Sequence, residues 1–275
     1  MNSFQRCGVG LLVAVALTAS ATRAEAQEAG RPAIVAHRGL LLDSPENTLS
    51  NFSACVELRL GFEFDVRRCK TGELVCVHDA SVDRTTDGKG NVTDLTLAEI
   101  EKLDAGSWFS PEFRGERVPT IDAVLALIAA HKVAGLYTVD LKGDDAEVER
   151  DTVRLAQKHG VLDRLLFIGR TIDHPEVRGR LRSADAGCHT AAVANTREQF
   201  AAALAATDAD WVYLRFVPTA AEVKQIHDAK KRAFLAGPTI TGREPAAWLQ
   251  AANAGIDGML TDYATECRRT IRAGK

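Results

Sequence analysis

Residues 61–79 read GFEFDVRRCKTGELVCVHD. Phe62, Phe64 and Val66 alternate with Glu63 and Asp65, so an extended segment here has one apolar face and one face carrying two carboxylates. A second apolar run, Leu74 to His78, follows after only Lys70, Thr71, Gly72 and Glu73. Parallel neighbours in a sheet need a crossover of about a dozen residues or more, so this join must be a hairpin turning near Thr71 and Gly72. The chain therefore rises along one strand, turns and comes back, which returns His78 to the neighbourhood of Asp65.

Outward from this stretch, short β-rich runs alternate with helical patterns. Strands are expected at Ala33–His37, Phe62–Val66, Leu136–Leu141, Leu165–Ile168, Cys188–Val193, Trp211–Arg215, Ala233–Ala236 and Gly258–Thr261. Helices are expected at Thr48–Leu58, Thr120–His131, Ala146–Lys158, Arg197–Ala206, Ala220–Lys231 and Pro245–Ala254. Such alternation implies parallel strands joined by helical crossovers, an α/β chain, and eight strands are enough to close a (β/α)8 barrel over residues 33–265. Residues 80–118 interrupt the pattern with a long, polar, Gly-rich connection holding one short helix near Leu97–Leu103. Compact barrels rarely carry such a loop without a use, and it is expected to form a lid or small insertion over the C-terminal face.

The first residues read as a leader. Arg6 precedes the apolar run Gly8 to Leu17, and Ala24-Glu25-Ala26 offers a small-residue cleavage site, so residues 1–26 are expected to be a secretory signal peptide. No later segment sustains the ~18 apolar residues of a membrane span. An exported, soluble protein without stable membrane insertion is the expectation, periplasmic or secreted. Among 275 residues the formal net charge is -3, and no basic block appears, which argues against a nucleic-acid partner. Cys55, Cys69, Cys76, Cys188 and Cys267 follow Cys7; an oxidising compartment permits a Cys69–Cys76 bridge across the hairpin, although buried free thiols are the commoner state.

The strand ends carry the chemistry. His37-Arg38-Gly39 ends the first strand, Glu63 and Asp65 share a face of the second, Asp140 and Lys142 share a face of the third, and the hairpin delivers His78-Asp79. A barrel interior is normally filled by branched apolar side chains, so charges at this density require pairing or a metal. Each element alone has a bland reading as a strand end, an amphipathic strand or an ion pair. Together the bland readings require several coincidences on one rim. The all-oxygen set Glu63, Asp65 and Asp140 suits one hard divalent cation, Mg2+ or Ca2+. Arg38 offers a planar fork and Lys142 a point charge for phosphate oxygens. His37 and His78 suit an acid–base pair that activates the attacking hydroxyl and protonates the leaving alkoxide.

These stretches resemble the glycerophosphodiester phosphodiesterase family. The resemblance rests on His37-Arg38-Gly39, Pro45-Glu46-Asn47-Thr48, Glu63-Phe64-Asp65-Val66 and Val77-His78-Asp79. It continues through residues 83–88, Leu103-Asp104-Ala105-Gly106, Val118-Pro119-Thr120, residues 255–258 and Thr261-Asp262. It implies a barrel with an insertion at its mouth, one divalent cation on Glu63, Asp65 and the acid at 140, and His37 with His78 as acid and base. It also implies Arg38 and Lys142 on phosphate, Glu46 positioning the first-strand residues, and a small-molecule glycerophosphodiester cleaved to sn-glycerol 3-phosphate and an alcohol.

Two departures stand out. The family usually has glutamate at position 140, and aspartate is one methylene shorter, so direct ligation needs a backbone shift, a bridging water or another metal preference. The fourth strand usually ends in Ser-Phe, whereas here Ile168 is followed by Gly169-Arg170-Thr171. If Arg170 and Arg215 both point inward, the substrate carries an extra negative charge. A phospholipase C- or D-like barrel acting on lipid or lysolipid phosphodiesters is the first alternative; Trp108, Phe109 and Phe113 would then be its apolar rim rather than packing the insertion onto the barrel. A non-catalytic phosphodiester-binding barrel is the second.

Overall fold

The computed structural model describes residues 30–131, 135–237 and 240–274; the expected leader lies outside them. Among the described residues nine strands form: β1 Ala33–Ala36, β2 Gly61–Arg68, β3 Leu74–Val75, β4 Tyr137–Leu141, β5 Leu165–Ile168, β6 His189–Ala194, β7 Trp211–Leu214, β8 Arg232–Leu235 and β9 Gly258–Thr261. β1 pairs in parallel with both β2 and β9, and the remaining parallel pairs run β2–β4–β5–β6–β7–β8–β9, so the sheet closes into an eight-stranded parallel barrel. Between the strands run α1 Leu49–Glu57, α2 Leu97–Ile100, α3 Ile121–Ala130, α4 Ala146–His159, α5 Pro175–Ala184, α6 Phe200–Ala205, α7 Ala220–Asp228, α8 Pro245–Ala254 and α9 Ala264–Ala273. The expected strands and helices are all present, with ends shifted by a few residues; α5 and α9 are additional. Helix starts follow their caps. Thr48, Thr120 and Asp145 each accept a backbone N–H of the first turn, and Thr219 with Glu222 forms a reciprocal capping box.

Period-two alternation splits the core into two layers. Phe62, Phe64 and Val66 face outward into the strand–helix layer, where Phe62 stacks on Phe52 of α1 at 4.2 Å and meets Tyr137 edge-on at 4.8 Å. Each such fully buried ring contributes roughly 1.5–3 kcal/mol of apolar burial. The barrel interior is a separate cluster of Val35, Leu166, Ile168, Trp211, Tyr213, Phe234 and Leu260. Apolar side chains fill that interior on the β5–β9 side, while β2 and β4 bring Glu63, Asp65 and Asp140 to it instead.

The hairpin has the expected register: β3 is antiparallel to β2, with Arg67 opposite Val75 and Arg68 opposite Leu74. That register excludes the Cys69–Cys76 bridge. Extending it, Cys69 lies opposite Glu73 and Cys76 opposite Val66, so the two thiols are three positions out of register on opposite faces. All five described cysteines are free and buried, with Cys69 Sγ donating to Glu73 and Cys76 Sγ to Asn47.

Residues 80–118 close around a small apolar core of their own, in which Val82, Val92, Ile100, Ala105 and Val118 meet Val75 and Val77 of the returning chain. The segment is stitched to the hairpin by Lys70 N–H to Leu95 O and Cys76 N–H to Pro119 O, both 2.9 Å. Its helix is one turn, shorter than expected. Trp108, Phe109 and Phe113 pack edge-on against one another, leaving Trp108 38% exposed. Among the described residues no helix is long and apolar enough to cross a membrane.

Candidate active site

The parallel register places Asp65 directly opposite Asp140, and Glu63 opposite Thr138. Glu63, Asp65 and Asp140 each bring a carboxylate oxygen within 4.8 Å of the others. The shorter side chain at 140 therefore does not withdraw from the cluster. Part of the reason is Gly169 at the end of β5: a Cβ there would lie 2.0 Å from Asp140 Oδ1, in space the carboxylate needs. Its φ of +96° also belongs to glycine.

Two cations face these three acids. Lys142 Nζ is 2.8 Å from Asp65 Oδ1 and also contacts Asp140. Arg38 gives its backbone N–H to Glu63 Oε2 at 2.8 Å, while its guanidinium donates to Glu46 and stands 3.8 Å from Asp65. Burial, followed by the charge of Asp65, pushes the Glu63 carboxyl well above the usual range. Burial also raises Asp140, against the pull of Lys142. Asp65 goes the other way: burial opposes ionisation, but Lys142, His78 and Arg38 together hold its carboxyl below the ordinary value. Burial thus works against full ionisation of the cluster, and further positive charge would relieve it.

The loop after β1 is built to hold this arrangement. Arg38 and Asn47 adopt left-handed backbone at φ of +56° and +59°, and Asn47 N–H donates to Arg38 O at 3.1 Å. Non-glycine residues in that region cost roughly 1–2 kcal/mol each, and such strain collects at functional sites. Asn47 donates to Asp65 Oδ2 at 2.7 Å, fixing the carboxylate from behind. Asn51 accepts the Leu40 N–H and donates to the carbonyls of Ser44 and Pro45, closing the loop onto α1. Glu46 is held by a two-pronged contact from Arg84 of the insertion, at 2.8 Å for both bonds, and Arg84 also donates to Asp79 at 2.7 Å. One insertion residue therefore ties the β1 loop to the hairpin end.

Both histidines are oriented by a carboxylate. His37 Nδ1 lies 2.7 Å from Asp262 Oδ1, and His78 Nδ1 lies 2.8 Å from Asp79 Oδ1. A carboxylate can only accept, so each imidazole presents Nε2 to its other side. Burial depresses the His78 pKa, partly countered by Asp79 and Asp65. Arg67 donates twice to His78 O, at 3.1 and 2.8 Å, pinning the returning chain.

His37, Glu63, His78, Asp140 and Lys142 all line one cavity of about 460 Å³ at the C-terminal end of the barrel, within the range of small-molecule sites. Arg67, Arg170 and Arg215 line it too. Arg38, Asp65 and Glu46 stand behind this wall. Arg67, Arg84, Asn47 and Asp262 had no role assigned from sequence. Arg67 was readable, since it continues the face shared by Glu63 and Asp65; the long-range partners of the other three were not.

The donor set fits a hard divalent cation. Asp65 is wholly buried, and among the described residues its Oδ1 has only the Lys142 ammonium, at 2.8 Å, as a partner, leaving a lone pair for a further positive group. Three clustered carboxylates with no sulfur or imidazole ligand match oxygen-seeking ions.

Fold and rim together define a (β/α)8-barrel protein with an acidic metal-type cluster flanked by two carboxylate-oriented histidines. Residues 37–266 match the Glycerophosphoryl diester phosphodiesterase family, and the chain belongs to it. Among curated relatives, it is 51% identical over 96 residues to a glycerophosphodiester phosphodiesterase of Caldanaerobacter subterraneus subsp. tengcongensis, covering 34% of this chain and 40% of that protein. It is 36% identical over 149 residues to one of Bacillus subtilis, covering 50% of each. The matched segments thus span half or less of those relatives' lengths. In structure it resembles a glycerophosphodiester phosphodiesterase from Agrobacterium tumefaciens, with TM-score 0.73, 24% identity, and 88% and 99% of the two chains covered. It also resembles an Oleispira antarctica phosphodiesterase solved with the product sn-glycerol-3-phosphate, with TM-score 0.70, 23% identity, and 88% and 97% covered.

Proposed function

We propose that the protein is a divalent-metal-dependent phosphodiesterase that hydrolyses glycerophosphodiesters to sn-glycerol 3-phosphate and an alcohol. The observation that carries this reading is the pair of histidines, each locked through Nδ1 to its own carboxylate, on the wall of a cavity that also holds the acid cluster and Lys142. Displacement at phosphorus needs one group to take a proton from the attacking hydroxyl and another to give one to the leaving alkoxide. The Nε2 atoms of His37 and His78 supply both. Which of them faces the attacking side follows from how the substrate lies.

Glu63, Asp65 and Asp140 would hold Mg2+ or Ca2+. When bound, that ion polarises the phosphoryl oxygens and neutralises charge that builds on them. Lys142, on the cavity wall, meets a phosphate oxygen and stabilises the pentacoordinate charge. Arg38 stands behind the carboxylates and adds its charge to the same oxygens from the β1 loop. Glu46 and Asn47 hold Arg38 and Asp65 in register. Residues 80–118 act as a lid through Arg84, which links Glu46 to the histidine-bearing hairpin. The apolar run and cleavage site in residues 1–26 support export of the protein.

A coupled assay for glycerol 3-phosphate release tests the reading. EDTA should abolish turnover, and Mg2+ or Ca2+ should restore it. His37→Ala and His78→Ala should each lose roughly 100-fold or more in kcat, the scale of general acid–base catalysis, while still binding the ion in calorimetry. Substantial residual activity in either variant rules out the acid–base pair. Faster turnover of liposomes than of glycerophosphocholine moves the assignment to a lipid phosphodiesterase.

A further inference from the structure

The mouth of the cavity holds more positive charge than one phosphodiester anion matches. In the parallel register Asp65, Asp140 and Ile168 are neighbours across β2, β4 and β5. Arg67 lies two residues beyond Asp65 on the same face of β2, Lys142 just past the end of β4, and Arg170 in the turn after Gly169 at the end of β5; all three line the cavity with the acids, a basic tier at its mouth. Arg215 follows Tyr213 on the same face at the end of β7, and all four cations line the cavity.

Two of the four are already engaged. Lys142 is taken by Asp65 and Asp140, and Arg67 by the carbonyls of His78 and Lys142. Arg170 and Arg215 are exposed, and among the described residues neither guanidinium has a carboxylate at ion-pair distance.

Their backbones are nonetheless anchored. Thr171, next to Arg170, donates its hydroxyl to Leu141 O at 3.0 Å, tying that loop to the end of β4 beside Lys142. Arg215 N–H donates to Ala194 O at 3.0 Å. The chain leaving β8 comes so close that a Cβ on Gly237 would be 3.2 Å from Arg215 Cα. The Arg215 guanidinium carbon is 5.7 Å from the ring centroid of Tyr213, a member of the inner barrel cluster, which holds the charge over the interior.

We propose that Arg170 and Arg215 form a second anion subsite, which selects glycerophosphodiesters whose leaving alcohol carries a carboxylate or a phosphate monoester. This rests on the phosphodiesterase reading above. The glycerol half of such a substrate has no anion besides the phosphodiester itself, so the second charge must belong to the alcohol.

The test compares two substrates of equal size with the metal-loaded full chain: glycerophosphoglycolate, with a carboxylate on the leaving alcohol, and glycerophosphoethanediol, with a hydroxymethyl group in its place. The carboxylate substrate should show kcat/KM about 10-fold higher, the scale of one charge-assisted contact at a partly solvated site. Arg170→Ala and Arg215→Ala should each shrink that ratio by about 3-fold or more, and raising the salt from 0.05 to ~0.5 M should compress it in the wild type. Equal kcat/KM for the two substrates in the wild type overturns the subsite and leaves the phosphodiesterase reading intact. So does an equal loss on both substrates in the arginine variants. Turnover of neither substrate overturns the phosphodiesterase reading and this inference with it.

Discussion

Asn47 makes the most exacting test of how the site is held. It is 4% exposed, has left-handed backbone at φ +59°, and donates to Asp65 Oδ2 at 2.7 Å while accepting from Cys76 Sγ at 3.0 Å. Asn47→Ala removes a hydrogen bond to a buried carboxylate, about 1.5–3 kcal/mol. It also puts a Cβ-bearing residue without local side-chain bonding into the left-handed region, about 1 kcal/mol more. Together the loss is about 2.5–4 kcal/mol, or about 5–16 °C in Tm for a domain of this size. Asn47→Gly suffers the same hydrogen-bond loss but not the backbone strain, and should melt above Asn47→Ala by a few degrees. Calorimetric melts of the metal-free protein measure both. Titration of Mg2+ into each variant should show affinity reduced about 10–100-fold, because Asp65 loses the partner that orients it. A Tm for Asn47→Ala within ~2 °C of wild type refutes the reasoning. A glycine variant less stable than the alanine one refutes the backbone part of it.

Gly169→Ala should weaken divalent binding about 10-fold or more, since its Cβ would approach Asp140 Oδ1 to 2.0 Å, and isothermal calorimetry reads this directly; unchanged affinity would mean Asp140 is not a ligand. Arg84→Ala removes the two-pronged hold on buried Glu46, and should cost about 1–2 kcal/mol at pH 7, a value kept low because the guanidinium is partly solvated. Arg84 and Arg38 hold the Glu46 carboxyl below its ordinary value against burial, so this stability is complete above pH 4.5 and fades as pH falls through the lower folded pKa. Urea melts from pH 7 to pH 3 should show the wild type and variant converging at the acid end; a gap that widens there contradicts the assignment. Cys69 and Cys76 should appear as separate thiol peptides under non-reducing digestion, and reductant should leave Tm unchanged; a crosslinked peptide contradicts the hairpin register.

Much of the barrel could be read without coordinates because its signals are local. Alternation in residues 62–66 showed which face of β2 is apolar, and the four residues between Cys69 and Leu74 allowed only a hairpin. Glu63, Asp65, Asp140 and His37 were legible because they lie on or just past barrel strands, facing the interior or the rim where a barrel builds its site, and His78 because the short hairpin returns it there. The Cys69–Cys76 bridge was a wrong option because proximity in a hairpin does not settle facing, and a three-position offset turns the thiols apart. Arg84 could not be found from spacing, since it lies 38 positions beyond Glu46, past α1 and the β2–β3 hairpin, and nothing in its loop announces its partner.

The sequence alone determined the class of fold, the order of its strands and the kinds of ligand its rim can hold, because periodicity and side-chain chemistry are properties of short segments. The tertiary structure decided which of those groups are partners. Closing the barrel set Asp65 against Asp140, brought Asp262 from the far end of the chain to His37, and gathered a basic tier at the cavity mouth. Only closure could do so, because the electrostatics of each group depend on burial and on charges contributed by strands that are distant in sequence and adjacent in space.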